Sequence, residues 1–209
     1  NRQVVTDSEK ELIDLIRKYG GLSKTDLALH TMFSRSKITG CVDSLVKKGI
    51  LESSNKTEFT GGRRSRVFSL NGKLGLLAGV DIGASSIDLC ITDYSGKKLH
   101  RYSEAASVKD GPIKVLGRVC TLIEKMLKEK NLSADKLNGI GIGVPGPVDF
   151  SSGTLISPPI MPGWDRYPII DTVQQWFPMA HVVVDNDVNA MALGETYKGE
   201  GKGIDNMIY

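Results

Sequence analysis

Leu76–Ile82 is a nearly continuous apolar run that ends in Asp81-Ile82-Gly83-Ala84-Ser85-Ser86. A run this short and this apolar, closed by a turn, reads as a strand buried in a layered sheet. Ile87–Thr92 follows as a second strand, Asp93-Tyr94-Ser95-Gly96 as a turn, and Leu99–Ser107 as a third strand. The region therefore opens as a meander. Gly111-Pro112 then starts a long amphipathic helix ending near Lys130, with Ile113, Leu116, Val119, Cys120, Ile123, Met126 and Leu127 on its inward face. Leu137–Val144 is another buried strand and runs into Pro145-Gly146-Pro147-Val148-Asp149. A Pro- and Gly-rich loop covers Ser151 to Tyr167. Ile169–Phe177 reads as a helix, His181–Val184 as a strand, Asp187–Lys198 as a helix, and Asn206–Tyr209 as the start of one more strand. Strands alternating with helices in this way predict an α/β domain.

The first third follows different rules. Thr6-Asp7-Ser8-Glu9 is a capping box, and Leu12, Ile13, Leu15, Ile16 and Tyr19 recur behind it at helical spacing until Gly20-Gly21. Ser23-Lys24-Thr25-Asp26 opens a second, short helix that ends near Thr31. Ser34 caps a third, which runs to Lys48 with Ile38, Val42, Leu45 and Val46 buried, Cys41 at the edge and Gly49 as the stop. Ile50–Ser53 and Val67–Leu70 read as strands flanking a tip that contains Gly61-Gly62-Arg63-Arg64-Ser65-Arg66. A helix, a short helix, a tight turn and a longer helix, followed by a hairpin with a basic tip, predict an α+β winged helix-turn-helix over residues 1–72. On that reading the third helix enters the major groove of duplex DNA. Ser34, Arg35, Ser36, Lys37 and Gly40 lie at its leading end. Arg and Lys donate to guanine, Ser donates or accepts, and Gly permits close approach. Arg63, Arg64 and Arg66 suit phosphate or minor-groove contact. Lys47 and Lys48 read as phosphate contacts or as solvated charges favoured by the helix dipole.

Charge supports the division. Residues 1–72 hold 13 Lys/Arg against 8 Asp/Glu, whereas the remaining residues hold 14 against 16. The basic excess sits where a polyanion partner is expected. Cys41, Cys90 and Cys120 are far apart, lack zinc spacing and lie in apolar patterns, so they read as reduced core or near-core residues. No stretch approaches the ~20 apolar residues that cross a bilayer, and no charged-then-apolar leader opens at Asn1. A cytoplasmic protein without membrane contact is expected.

Three segments carry a family resemblance. They are Gly79-Val80-Asp81-Ile82-Gly83-Ala84-Ser85, Gly141-Ile142-Gly143-Val144-Pro145-Gly146-Pro147-Val148-Asp149, and Val184-Asp185-Asn186-Asp187-Val188-Asn189-Ala190-Met191-Ala192-Leu193-Gly194-Glu195. In this order and at these distances they closely resemble the ROK family (repressor, open reading frame, kinase). A winged helix-turn-helix ending in Gly-Gly-Arg before a strand resembles the family's transcriptional-regulator branch. The resemblance implies that residues 73–209 form the first lobe of an actin-like, hexokinase-like ATPase fold, incomplete at its C-terminal side. Asp81, Gly83 and Ser85 match the phosphate turn, in which backbone N–H groups and a hydroxyl cradle phosphates. Asn186 and Asp187 match the pair that binds sugar hydroxyls, and Gly146 borders the same pocket. Asp187 corresponds to the general base of the kinase members. Trp164 sits after Pro162-Gly163, where an aromatic more often packs its loop than stacks on a sugar.

The departures also matter. Kinase members commonly carry Gly-Gly-Thr-Lys at the first turn, where this chain has Gly83-Ala84-Ser85-Ser86. With the Lys gone, ATP is not expected, no catalytic residue is assigned, and Asp187 is read as a hydroxyl ligand. The family's second phosphate loop, its His and Glu sugar ligands and its Cys-rich structural zinc motif belong downstream, so no metal is assigned here and the chain is expected to be truncated. The resulting expectation is a sequence-specific DNA-binding regulator of carbohydrate genes. It acts as a repressor and as a homodimer or larger homo-oligomer, and responds to a sugar or sugar phosphate. The competing expectation is an ATP-dependent sugar kinase with an accessory head. The blander third is a DNA-binding protein whose second domain serves dimerisation alone.

Overall fold

A computed structural model describes residues 4–54 and 66–201. No helix among these is long and apolar enough to cross a membrane. The chain divides into two compact units, and the boundary following the first run of elements lies between Leu74 and Gly75. That is slightly later than the expected end at residue 72. Asn71 explains the shift. Its side chain donates to the Gly49 carbonyl at 2.8 Å and accepts from the Lys73 amide at 3.0 Å, which ties the turn Gly72–Leu74 to the first unit.

The first unit contains α1 (Asp7–Tyr19), β1 (Leu22–Ser23), α2 (Lys24–His30), α3 (Arg35–Lys47), β2 (Leu51–Ser54) and β3 (Val67–Leu70). Each helix begins where its cap dictates. Thr6 and Glu9 bond reciprocally at α1, Ser23 and Asp26 do so at α2, and the Ser34 hydroxyl accepts from the Lys37 amide at 3.2 Å to start α3. The antiparallel sheet has the order β1-β3-β2. Strand β1 has no signal of its own in the sequence, because two residues are too few for a period. It exists because Leu22 and Ser23 pair with Phe68 and Val67. Leu12, Ile16, Leu27, Ile38, Val42, Leu45, Leu51, Phe68 and Leu70 form the core. Val46, expected inside, is 41 % exposed. It lies on the flank of α3, where the buried stripe of Ile38, Val42 and Leu45 already fills the contact.

The second unit contains β4 (Leu76–Ile82), β5 (Ser86–Asp93), β6 (Lys98–Ala105), α4 (Pro112–Glu129), β7 (Leu137–Val144), β8 (Val148–Asp149), β9 (Thr154–Leu155), α5 (Ile169–Trp176), β10 (His181–Asn186) and α6 (Asp187–Lys198) as far as Glu195. Its main sheet is mixed, ordered β10-β7-β4-β5-β6. Strands β4, β7 and β10 run parallel, while β4, β5 and β6 form the antiparallel meander. Helix α4 buries Val115, Leu116, Val119, Cys120, Leu122, Ile123, Met126 and Leu127. Ile113, assigned to that face by periodicity, is 76 % exposed. Pro112 and Val115 are the buried residues of the first turn instead.

The run Leu76–Ile82 is less enclosed than its composition implies. Leu76, Ala78, Val80 and Ile82 are buried, and Leu77, Gly79 and Asp81 on the other face are not. The register sets Leu77, Gly79 and Asp81 beside Gly139, Gly141 and Gly143 of β7. Glycine reads as apolar in a pattern, but it carries no side chain to cover a face. The second face is therefore a glycine-lined trough, and α6 begins over its end. A Cβ at Gly143 would stand 3.3 Å from the Asp187 Cα and 3.7 Å from the Ala190 Cβ. A side chain at this position would press on the start of the helix.

Candidate functional site

Two surfaces hold the residues singled out from the sequence. In the first unit, Ser34, Arg35, Ser36, Lys37 and Gly40 are all exposed. The Ser34 hydroxyl is committed to capping α3. The Lys37 ammonium lies 3.7 Å from the centre of the Phe33 ring, a cation–π contact that holds it near the start of the helix. Arg63 and Arg64 lie outside the described residues. Arg66 is exposed and lines a groove of about 560 Å³ bordered by α2, α3 and β2. Lys24 and Lys47 line the same groove, with Thr25, Ser53 and Phe68 between them and Asp43 as the one carboxylate. Lys47 and Arg66 there suit phosphates, while Lys24 is paired with Asp43 at 2.7 Å.

Lys48 does something else. Its ammonium donates to both carboxylate oxygens of Glu9, at 2.7 and 2.8 Å, and to the Val4 carbonyl at 2.9 Å. Burial alone would raise the Glu9 carboxyl. The bonds from Lys48, the Thr6 amide and Ser44 outweigh it and hold the group down at about 2. Lys48 is thus a tether between α1 and the end of α3, in place of the phosphate contact or solvated charge expected of it. Thr39 and Asp43, both exposed on α3, were passed over in the sequence. Helical spacing from Ser36 was the signal available for them.

In the second unit, parallel alignment brings the C-terminal ends of β4, β7 and β10 to one edge of the sheet. That edge is the usual place for ligands in open α/β sheets. Asp81, Gly143 and Asp185 share a row across the three strands. The turn Gly83–Ser85 follows β4. It is closed by the Gly83 amide donating to the Ser86 carbonyl at 2.9 Å, with Ala84 and Ser85 exposed at its tip. Gly146 follows β7, with φ of +137°, and a Cβ there would stand 3.3 Å from the Leu155 side chain and 3.4 Å from that of Pro158. Asn186 and Asp187 follow on β10 and α6.

The structure joins Gly146 to Asn186 directly. The Asn186 amide nitrogen donates to the Gly146 carbonyl at 3.0 Å, and its oxygen accepts from the Val188 amide at 2.9 Å. One N–H of the Asn186 amide remains for a ligand. Asp187 lies beside it with one oxygen on the Val188 amide at 2.8 Å. Asp81 faces Asp88 directly across the hairpin. Burial, then Asp187 and Asp88, push the Asp81 carboxyl above its ordinary value. Its Oδ1 is buried with no hydrogen-bond partner among the described residues. Asp88 is a neighbour the sequence reading missed, although counting outward from the Gly83–Ser86 turn places it opposite Asp81. Trp164 is fully buried and donates from Nε1 to the Val108 carbonyl at 2.9 Å. It packs its loop and has no free face for a sugar ring. Among the described residues no three His, Cys, Asp or Glu gather as a metal-ligating set.

A carboxylate, an amide and a tight glycine turn at one sheet edge can grip hydroxyl groups, and Asp187 can accept a proton from one. The model of the ROK family matches residues 77–209, which is more than half of the chain. The chain belongs to the ROK family. A relative of this ROK protein called xylose repressor, from Caldicellulosiruptor bescii, is 31 % identical over 90 % of this chain and 47 % of its own length. The chain spans about half the length of the curated relatives it matches. Among solved structures, a ROK family transcriptional regulator described as a homolog of the E. coli MLC protein aligns with a TM-score of 0.66. That alignment covers 93 % of this chain and 49 % of that one at 18 % identity, a likeness of fold. A ROK family glucokinase from Streptomyces griseus, solved with glucose and AMPPNP, aligns with a TM-score of 0.53 and 30 % identity over 62 % of this chain and 38 % of its own.

Proposed function

We propose that this ROK protein is a transcriptional regulator, acting as a repressor of carbohydrate genes in the cytoplasm. Its first unit is a winged helix-turn-helix that binds duplex DNA, and its second takes a sugar or sugar phosphate at the edge formed by Gly146, Asn186 and Asp187. The observation that carries the reading is the exposed face of α3. Arg35, Ser36, Lys37 and Gly40 stand free of the core there, and Lys24, Lys47 and Arg66 line the groove beside them. The 31 % identity to a protein called xylose repressor over 90 % of the chain supports it. The effector works by favouring one arrangement of two DNA-binding heads in a homodimer, since equal affinity for both arrangements shifts nothing.

One observation favours a second reading, a sugar kinase. Asp187 stands at the same edge as the Asp81 turn, and the glucokinase likeness extends over 62 % of this chain. The turn lacks the Lys of kinase members, and Ser86 in its place donates to Asp88 at 3.3 Å. Duplex binding by the intact protein, measured at several salt concentrations and then with a panel of pentoses and hexoses, tests the regulator. Salt-sensitive binding relieved by one sugar is expected. No salt-sensitive binding rejects it. ATP turnover across the same panel tests the kinase.

A further inference from the structure

Ser36, Gly40, Asp43 and Lys47 are spaced so that they stack on one line of α3, opposite the buried Ile38, Val42 and Leu45. Nothing lies within 4 Å of where a Cβ would stand on Gly40, so this line is notched between Ser36 and Asp43. Asp43 is the one carboxylate on the helix, in the more basic of the two units. It is also held in place. Its Oδ1 accepts from the Lys24 ammonium at 2.7 Å, and that ammonium lies 5.7 Å from the centre of the Phe68 ring. Oδ2 has no partner among the described residues, and the side chain is 64 % exposed.

A carboxylate is repelled by phosphates and useless to them, because it donates nothing. It is matched to base edges that present a lone donor. In the major groove cytosine offers the N4 amino group. Adenine offers an amino group beside the N7 acceptor, which opposes a second negative oxygen, and guanine offers acceptors only. Arg35, Ser36 and Lys37 supply donors on the same helix. The Ser36 hydroxyl can also accept, but Asp43 supplies the one charged acceptor on the helix. We infer that Asp43 is a specificity-determining residue, held by Lys24 and accepting a hydrogen bond from the N4 amino group of a cytosine in the bound DNA. The inference rests on the DNA-binding reading above.

The test is selection from a random-sequence duplex library by the intact protein, in wild-type, Asp43→Ala and Asp43→Asn forms. Affinities are then measured for the wild-type site and for versions with one pair changed. Wild type is expected to prefer cytosine at one position by roughly tenfold. Asp43→Ala should accept all four bases there within a few fold and bind unrelated duplex more tightly, having lost a negative charge. Asp43→Asn, which keeps the shape, should move the preference to adenine, whose N6 and N7 it can meet together. A wild-type preference that Asp43→Ala retains, or an even loss of affinity over all sites, overturns the inference alone and leaves Asp43 as a brace for Lys24. A wild-type protein that enriches no sequence overturns the DNA-binding reading and the inference with it.

Discussion

The Asn186 side chain spans from the end of β10 to the Gly146 carbonyl after β7, a bond of 3.0 Å between residues 40 apart in the chain. The same side chain accepts from the Val188 amide and so starts α6. Asn186→Ala removes both. It should cost about 1 kcal/mol of stability and, on the proposed reading, weaken sugar binding by tenfold or more. Chemical denaturation and calorimetric titration read the two effects separately. Unchanged stability would mean that the bond does not hold the edge together.

Asp81 is predicted to be a liability to the fold at neutral pH. Its folded carboxyl titrates above the ordinary value of 3.8, so the fold opposes the ionised form. Asp81→Asn should therefore stabilise the second unit at pH 7. As the pH falls, folded Asp81 gains its proton before the unfolded chain does, and the advantage of Asn shrinks. Below 3.8 it should vanish. Thermal melts across this range check the sign, and a destabilised variant at pH 7 contradicts it.

Glu9 runs the other way. Its folded carboxyl is held at about 2 against an ordinary 4.5. The stability it contributes is fully present above 4.5 and is lost as the pH falls from there towards 2. Lys48→Met leaves Glu9 buried without its cation and should cost about 3 kcal/mol. Acid titration of the first unit, followed by circular dichroism, should show a smaller dependence in Glu9→Gln than in wild type.

Lys47 lines the groove beside α3 and bonds to no group among the described residues. Lys47→Ala should weaken binding to all duplexes alike and reduce the slope of log affinity against log salt by about 1. Arg35→Ala should instead lose affinity for the selected site more than for unrelated DNA. Fluorescence anisotropy over a salt series distinguishes them. Full affinity in Arg35→Ala would count against α3 as the recognition helix.

Trp164→Phe removes the Nε1 bond to Val108 and leaves that carbonyl without its partner. A loss of about 1–2 kcal/mol is expected, while Trp164→Ala should cost about 3–5 kcal/mol through the cavity it opens. Neither substitution touches the sheet edge, so sugar affinity per folded molecule should stay unchanged in Trp164→Phe. A marked loss there would place the indole in the site after all.

Much of this was legible in the sequence because it depends on neighbours in the chain. Thr6, Ser23 and Ser34 announce three helices, since a cap bonds only to amides two or three residues on. Strand-length apolar runs and the turns between them gave the strands of the main sheet and the helices of the second unit in order, though not the two-residue strands β8 and β9, and three short segments identified the ROK family. Strand partners, by contrast, are chosen by the whole fold. The pairing of β1 with β3, the glycine-lined face beside Leu77, Gly79 and Asp81, and the exposure of Val46 and Ile113 all depend on what lies across the sheet or over the helix. Lys48 shows the difference most clearly. In sequence it is a basic residue at the end of a helix, equally suited to phosphate, solvent or a dipole. Only the approach of α1 to α3 decided that its charge would be spent on a buried Glu9, because long-range ion pairs are set by packing and not by spacing.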